Sequence, residues 1–242
     1  MGPYLHQLQA SMLSEKLFLL LWTNSLSGIT TTTATGGAIY DTSGNTIVLT
    51  AYGVVWATHT NPTKADHYTN SGNGSGTGFT WTSSLTGLTP NTKYAVKGYF
   101  DYSGGTVTSG VEVSGTTLVA LPTVTTTVLS PITATGATGG GNVTNAGGGT
   151  ITARGVVWNT TGTPTTANTG KTIQTGTTGS FSSSLTGLIR GTLYYVRAYA
   201  TNSAGTAYGT QLSFTTLTIP TVTTTTISLI GQTAATNVAK KL

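Results

Sequence analysis

The segment SSLTGLIRGTLYYVRAYATNSAGTAYG at 183–209 has an earlier counterpart, SSLTGLTPNTKYAVKGYFDYSGGTVTSG, that begins at Ser83. Leu85 and Leu185, Leu88 and Leu188, and Tyr94 and Tyr194 each stand 100 positions apart. That spacing is the length of one small all-β domain. A chain of 242 residues could form one large domain or two small ones, and the repeat decides for two, each large enough to bury a core of its own. The expectation is an array.

Inside the repeat the residues alternate. Tyr194, Val196, Ala198 and Ala200 fall on one face, and Tyr195, Arg197, Tyr199 and Thr201 on the other, which is the period of a half-buried strand. Asn202-Ser203-Ala204-Gly205 supplies turn residues before the extended pattern resumes at 206–215, so the two runs read as a hairpin. Tyr194 and Tyr94 are placed to bury a ring and reach the preceding loop with the hydroxyl. Leu-x5-Tyr-x-Val-x-Ala-x-Ala-x-Asn-x-x-Gly at 188–205 resembles the penultimate strand of fibronectin type III-like domains, with Tyr94 and Tyr194 in the position of the structural tyrosine corner. The GVVW at Gly155, echoed at Gly53, is similar to the form of that module found in tandem in bacterial surface and secreted proteins. The resemblance covers nearly all of the second unit and most of the first. It implies two tandem immunoglobulin-like β-sandwiches. The first unit departs from it at Gly98, Phe100 and Asp101, where the second has Ala198, Ala200 and Thr201, so its core is expected to be looser.

Taken in order, residues 1–16 match nothing in the repeat, and module 1 runs over 17–118. Leu17 to Trp22, LFLLLW, is the most apolar run. It is far too short for a membrane span, which takes about 20 apolar residues, and the repeat places it at a first strand rather than in a signal segment. The first module continues with strands at 29–40, 46–58, 79–85, 93–102 and 106–117, and with a long Gly/Ser/Asn-rich loop between 59 and 78 that holds one short strand around His67 to Thr69. Module 2 occupies 119–217, with strands at 123–128, 132–143, 150–158, 171–174, 180–185, 193–201 and 207–216. Here Ile151, Ala153, Gly155 and Val157 form the expected inward face. That parity puts Trp158 outward with Arg154 unless a bulge near Gly155 resets it. At 218–242 the opening of a module recurs, PTVTTTTISLIG against PTVTTTVLSPIT. This is read as the start of a third, incomplete module, or else as strands donated to a neighbouring molecule.

Composition narrows the function. Charged residues are only 6% of the chain, against about 25% in ordinary soluble domains, so solubility rests on hydroxyls and amides, as in extracellular stalks. Cysteine is absent, which removes the bridge of antibody-type sandwiches. The formal charge of +5 is scattered along the chain, without the clustered footprint that nucleic acid requires. Five acids occur, Glu15, Asp41, Asp66, Asp101 and Glu112, none of them in the second module and no two in a catalytic motif. His59, Asp66 and His67 fit no metal-cage spacing and read as a solvated loop. Gly139–Gly141 and Gly147–Gly149 lack the Lys-Ser/Thr and helix of a phosphate loop.

The expected surface site is the outward face of the penultimate strand, Tyr195, Arg197 and Tyr199, joined by Tyr208 on the next strand. Aromatics beside a guanidinium suit sugar rings or a protein partner. No catalytic residue, metal or cofactor is expected. The reading is a non-enzymatic extracellular structural or adhesion module, a spacer or stalk whose partners are neighbouring modules and glycans or surface proteins. A carbohydrate-binding region of a secreted polysaccharide-degrading enzyme and a phage decoration or fibre protein are the alternatives.

Overall fold

The computed structural model describes residues 20–224 apart from Ser43, Asn45 and Gly110, so the unmatched segment 1–16 and most of 218–242 lie outside the described residues. Seventeen strands and no helix are found there. In the first half they are β1 (Leu20–Thr23), β2 (Ala34–Asp41), β3 (Ile47–Ala57), β4 (His67–Tyr68), β5 (Gly72–Gly76), β6 (Gly78–Leu85), β7 (Lys93–Tyr102), β8 (Gly105–Thr108) and β9 (Val113–Thr116). The second half holds β10 (Thr123–Thr126), β11 (Gly136–Asn145), β12 (Ala153–Asn159), β13 (Gly170–Lys171), β14 (Gly179–Thr186), β15 (Leu193–Asn202), β16 (Gly205–Tyr208) and β17 (Leu212–Thr215). Every ladder is antiparallel.

Sheet order repeats between the halves. A three-stranded sheet β1-β2-β6 faces a larger one ordered β4-β3-β7-β8, to which β5 adds on β3 and β9 on β7. The second half answers with β10-β11-β14 and β13-β12-β15-β16, with β17 on β15. Sheets pack face to face, as in a β-sandwich. One core joins Val124, Val143, Phe181 and Leu185 of the smaller sheet to Val156, Val196, Ala198 and Phe214 of the larger. The first half buries Leu21, Tyr40, Trp81 and Phe100 in one cluster, and Val54, Leu85, Tyr94 and Val96 in another. The first strand of each half reaches across between the sheets. Thr23 Oγ1 accepts from the Gly98 amide at 2.9 Å and donates to the Val111 carbonyl at 2.8 Å, while Thr126 Oγ1 accepts from the Ala198 amide at 3.0 Å.

Several expectations change. The runs 106–117 and 207–216 are each two strands rather than one, β8 and β9 in the first half and β16 and β17 in the second. β5, Gly-Asn-Gly-Ser-Gly, was a loop by composition, but the 11-residue β3 leaves an edge beyond β4 that this segment pairs with. The inward face of β12 is the opposite of that expected. Val156 and Trp158 pack on the core, and Val157 is buried on the outer side. The shift of phase lies before Gly155. In β3 it is explicit, a register irregularity between Leu49 and Ala51 that leaves Leu49, Val54 and Trp56 all turned inward. Gly98, finally, does not loosen the first core. A Cβ there would meet the Ala38 Cβ at 2.3 Å, and a Cβ on Gly141 would meet the Ala198 Cβ at 2.5 Å. Each half has one methyl between its sheets, supplied from opposite sides. The slack sits instead beside Gly115, where a cavity of about 10 Å³ lies among Leu26, Ile29, Leu88 and Tyr94. In the second half Phe214 takes the Gly115 position, its ring 5.8 Å from that of Tyr194.

Between the halves the connection is pinned. The Ala120 amide donates to the Gly147 carbonyl at 2.8 Å, and Asn202 Nδ2 donates to the carbonyls of Ala120 at 2.7 Å and Ala146 at 2.9 Å. Asn91 Nδ2 reaches the Gly148 carbonyl at 2.6 Å.

Candidate functional site

The expected face belongs to β15, at the centre of the larger sheet of the second half, where Tyr194, Val196, Ala198 and Ala200 turn inward and Tyr195, Arg197 and Tyr199 turn to the other face. Tyr195, Arg197 and Tyr208 are half-buried, but Tyr199 is 2% exposed and is not part of an open platform. The reason is the partner opposite. Tyr199 pairs with Gly155, whose missing side chain leaves room for the Thr172 carbonyl, to which the Tyr199 hydroxyl donates at 2.8 Å. A Cβ on Gly155 would stand 2.1 Å from that same oxygen. Thr172 is held in turn, its Oγ1 accepting from the Val156 amide at 2.9 Å.

The first half repeats this device. Tyr99 pairs with Gly53, its hydroxyl donates to the Thr69 carbonyl at 2.7 Å, and Thr69 Oγ1 accepts from the Val54 amide at 3.0 Å. Burial, with smaller contributions from Asp101 and Tyr68, pushes the Tyr99 hydroxyl up to about 12. Burial, and then Tyr208, raises that of Tyr199. Both hydroxyls stay protonated donors throughout the ordinary pH range. The sequence carries the two tyrosines 100 apart and the two GVVW glycines, but their pairing is set by the strand register.

What covers the face is the loop after β12, and after β3 in the first half. Asn61 and Thr163 take φ of 56° and 47°, a conformation unusual for a residue with a side chain. Each is held from across the sheet. The Asn61 amide donates to Glu112 Oε2 at 2.5 Å, and the Thr163 amide to Gln211 Oε1 at 2.6 Å. Asp66 accepts from the Thr63 amide at 2.9 Å, as Asn168 does from the Thr165 amide at 2.7 Å. Carboxylates in the first half are therefore replaced by amides of the same shape in the second.

Two of the remaining platform residues, Arg197 and Tyr208, are engaged internally. The Arg197 guanidinium lies 4.7 Å from the centre of the Tyr208 ring, and its Nε donates to the Gly209 carbonyl at 2.9 Å. Tyr208 accepts from the Thr166 amide at 3.0 Å. In the first half Lys64 plays a like part, over the rings of Tyr68 and Tyr99 and 2.5 Å from Asp101. Burial opposes ionisation of Asp101, but Lys64 and Thr106 outweigh it and hold the carboxyl below its usual range.

His59, Asp66 and His67 do not converge. His59 meets Asp66 at 2.9 Å, while His67 stacks on Trp56 with ring centres 5.6 Å apart. No group of three His, Cys, Asp or Glu side chains suited to a metal ion occurs among the described residues. Tyr94 and Tyr194 are buried, and their hydroxyls accept from the amides of Thr89 and Ile189, each at 3.0 Å. The donor stands five positions before the ring in both, so the turn before the strand is pinned from within. Among the described residues no helix is long and apolar enough to cross a membrane.

No described protein family matches the chain, and no curated protein matches it. Among solved structures, the sensor domain of the anti-sigma factor RsgI4 of Pseudobacteroides cellulosolvens is similar over 42% of this chain and 99% of its own, with 20% identity and a TM-score of 0.33.

Proposed function

We propose that the chain is a tandem pair of fibronectin type III-like sandwiches serving as a non-enzymatic spacer or adhesive stalk on an extracellular surface. The observation that carries this reading is the pattern of what the halves share. The two copies agree in the groups that hold the frame: Tyr94 and Tyr194 on their turns, Tyr99 and Tyr199 over their glycines, the capped loops beneath Glu112 and Gln211. They differ in the side chains that face outward. Selection of frame over surface suits a part whose work is to hold distance. A pinned connection transmits force and orientation from one unit to the next, and antiparallel ladders resist extension.

Glycan binding is the second reading, favoured by the half-exposed Tyr195, Arg197 and Tyr208. It no longer includes Tyr199. Small-angle scattering and depletion assays separate the two. A spacer gives an elongated particle and remains in solution when mixed with insoluble polysaccharides. Depletion from solution that is abolished by Tyr208→Ala would instead select the glycan reading.

A further inference from the structure

The hexapeptide Pro-Thr-Val-Thr-Thr-Thr occurs at 122–127 and again at 220–225, and its two copies stand in different surroundings. At the first, Thr123–Thr126 is strand β10, paired with β11, and Val124 is 8% exposed in the core. At the second, Thr221–Thr224 forms no ladder and Val222 is 86% exposed. Burying such a side chain is favourable, because its apolar surface leaves water. One sequence thus serves as a core strand in one place and stands bare in the other.

The surface from which this bare segment emerges matches the corresponding end of the first half bond for bond. The Gly191 amide donates to the Leu217 carbonyl at 3.4 Å, as Asn91 does to Leu118 at 3.2 Å. Leu217 donates to the Thr133 carbonyl at 3.1 Å, as Leu118 does to Thr30 at 2.9 Å. Thr216 and Thr117 hydroxyls donate to the carbonyls of Ile189 and Thr89, both at 2.6 Å. Gly191 and Asn91 share the left-handed conformation, φ 60° and 50°.

In the first half this end is occupied by the turn at 146–149, through the contacts of Asn91 and Ala120. In the second half it carries Ile189, 67% exposed, and Ile219, 54% exposed. Leu217 does not distinguish the two ends, because Leu118 is 56% exposed even in the occupied joint. The difference lies at Ile189, which replaces Thr89, and at Gly191, which replaces the side chain that bonds Gly148.

We infer that the end formed by Ile189, Gly191 and Ile219 is the seat of a further β unit of the same kind, which takes Thr221–Thr224 as its first strand and buries Val222. The inference rests on the tandem reading above. It adds that this seat is apolar where the first is polar: the incoming turn rests on Ile189 and over the bare backbone of Gly191, with no amide side chain to receive its carbonyl.

The test keeps residues 1–219 and follows them with a second copy of residues 122–217, compared by methyl and amide NMR with the 242-residue chain. In the unextended chain the 221–224 amides exchange freely and Val222 is solvated. In the extended chain those amides become protected, and the Val222 and Ile189 methyl signals shift. Ile189→Lys there loses the Ile189-end contacts while the added unit stays folded. An added unit that folds with the Gly191 and Ile189 signals unmoved overturns the seat and leaves the array intact. An added unit that does not fold overturns the reading of 122–217 as self-contained. Signals at Ile189 that move with concentration in the unextended chain would give the seat to a second copy, which also contradicts the inference.

Discussion

Gly98 and Ala38 show how finely the space between the sheets is set. With 2.3 Å between the Ala38 Cβ and the place a Gly98 Cβ would take, Gly98→Ala has no room. Overpacking of this kind costs about 1–3 kcal/mol. Chemical denaturation should show that loss, and adding Ala38→Gly should recover most of it, since the pair then reproduces Gly141 and Ala198. Recovery by the double variant is the informative result, because a merely damaged strand would not be repaired from the opposite sheet. Tyr194 is a second residue-scale test. Tyr194→Phe keeps the ring on Phe214 and leaves the Ile189 amide without its acceptor at 3.0 Å. The loss expected in the same measurement is about 1 kcal/mol. An unchanged midpoint would mean that water replaces the hydroxyl and that the ring alone does the pinning.

Among the elements, the loop from His59 to Asp66 separates the two halves by its chemistry. The Thr60 carbonyl, and then Asp66, raise the pKa of His59 above its ordinary 6.5, so its contribution is complete below 6.5 and fades as pH rises through the raised value. The Thr63 amide, and then His59, lower Asp66 below its ordinary 3.8, so its contribution is complete above 3.8 and fades as pH falls through the lowered value. The loop is therefore held most firmly between those two limits. Amide NMR relaxation of residues 60–66 should show least motion in that window and more as pH rises through the raised His59 value. Residues 162–168, capped by Asn168, should show no such change, and Asp66→Asn should make the first loop behave like the second. Equal pH responses in the two loops would contradict this assignment.

These loops also mark the limit of what the sequence discloses. The strands of the repeat were legible because apolar residues alternate against turns, and so was the place of Tyr94 and Tyr194 at the head of theirs. Alternation states which side chains share a face but not what covers it. Tyr199 was accordingly expected in the open, when Gly155 across the ladder and the loop after β12 enclose it. β5 carries no apolar residue at all, and only the free edge of β3 makes it a strand. The phase of β12 is ambiguous for a related reason: both Val156 and Val157 are buried, so neither parity is polar, and only the reset before Gly155 that the sequence left as the alternative turns Val156 and Trp158 to the core.

On the proposed reading, the whole molecule is two units with separate interiors that meet at a hydrogen-bonded connection. Asn202 holds that connection from one side, its Nδ2 donating to carbonyls of Ala120 and Ala146 at 2.7 and 2.9 Å. Asn202→Ala should leave the unfolding midpoint of the first half unchanged while broadening the orientational spread seen in scattering or residual dipolar couplings. A spread no wider than that of the parent chain would show that the backbone contact of Ala120 with Gly147 is enough.

The most direct measurement is the extension of the single chain under force from its two ends. Two separate unfolding events are predicted, each releasing about 300 Å of contour for a unit of 100 residues at about 3.3–3.6 Å per residue, less the folded length. A single event of twice that length would mean one shared core, and the account of two sandwiches in series would be contradicted.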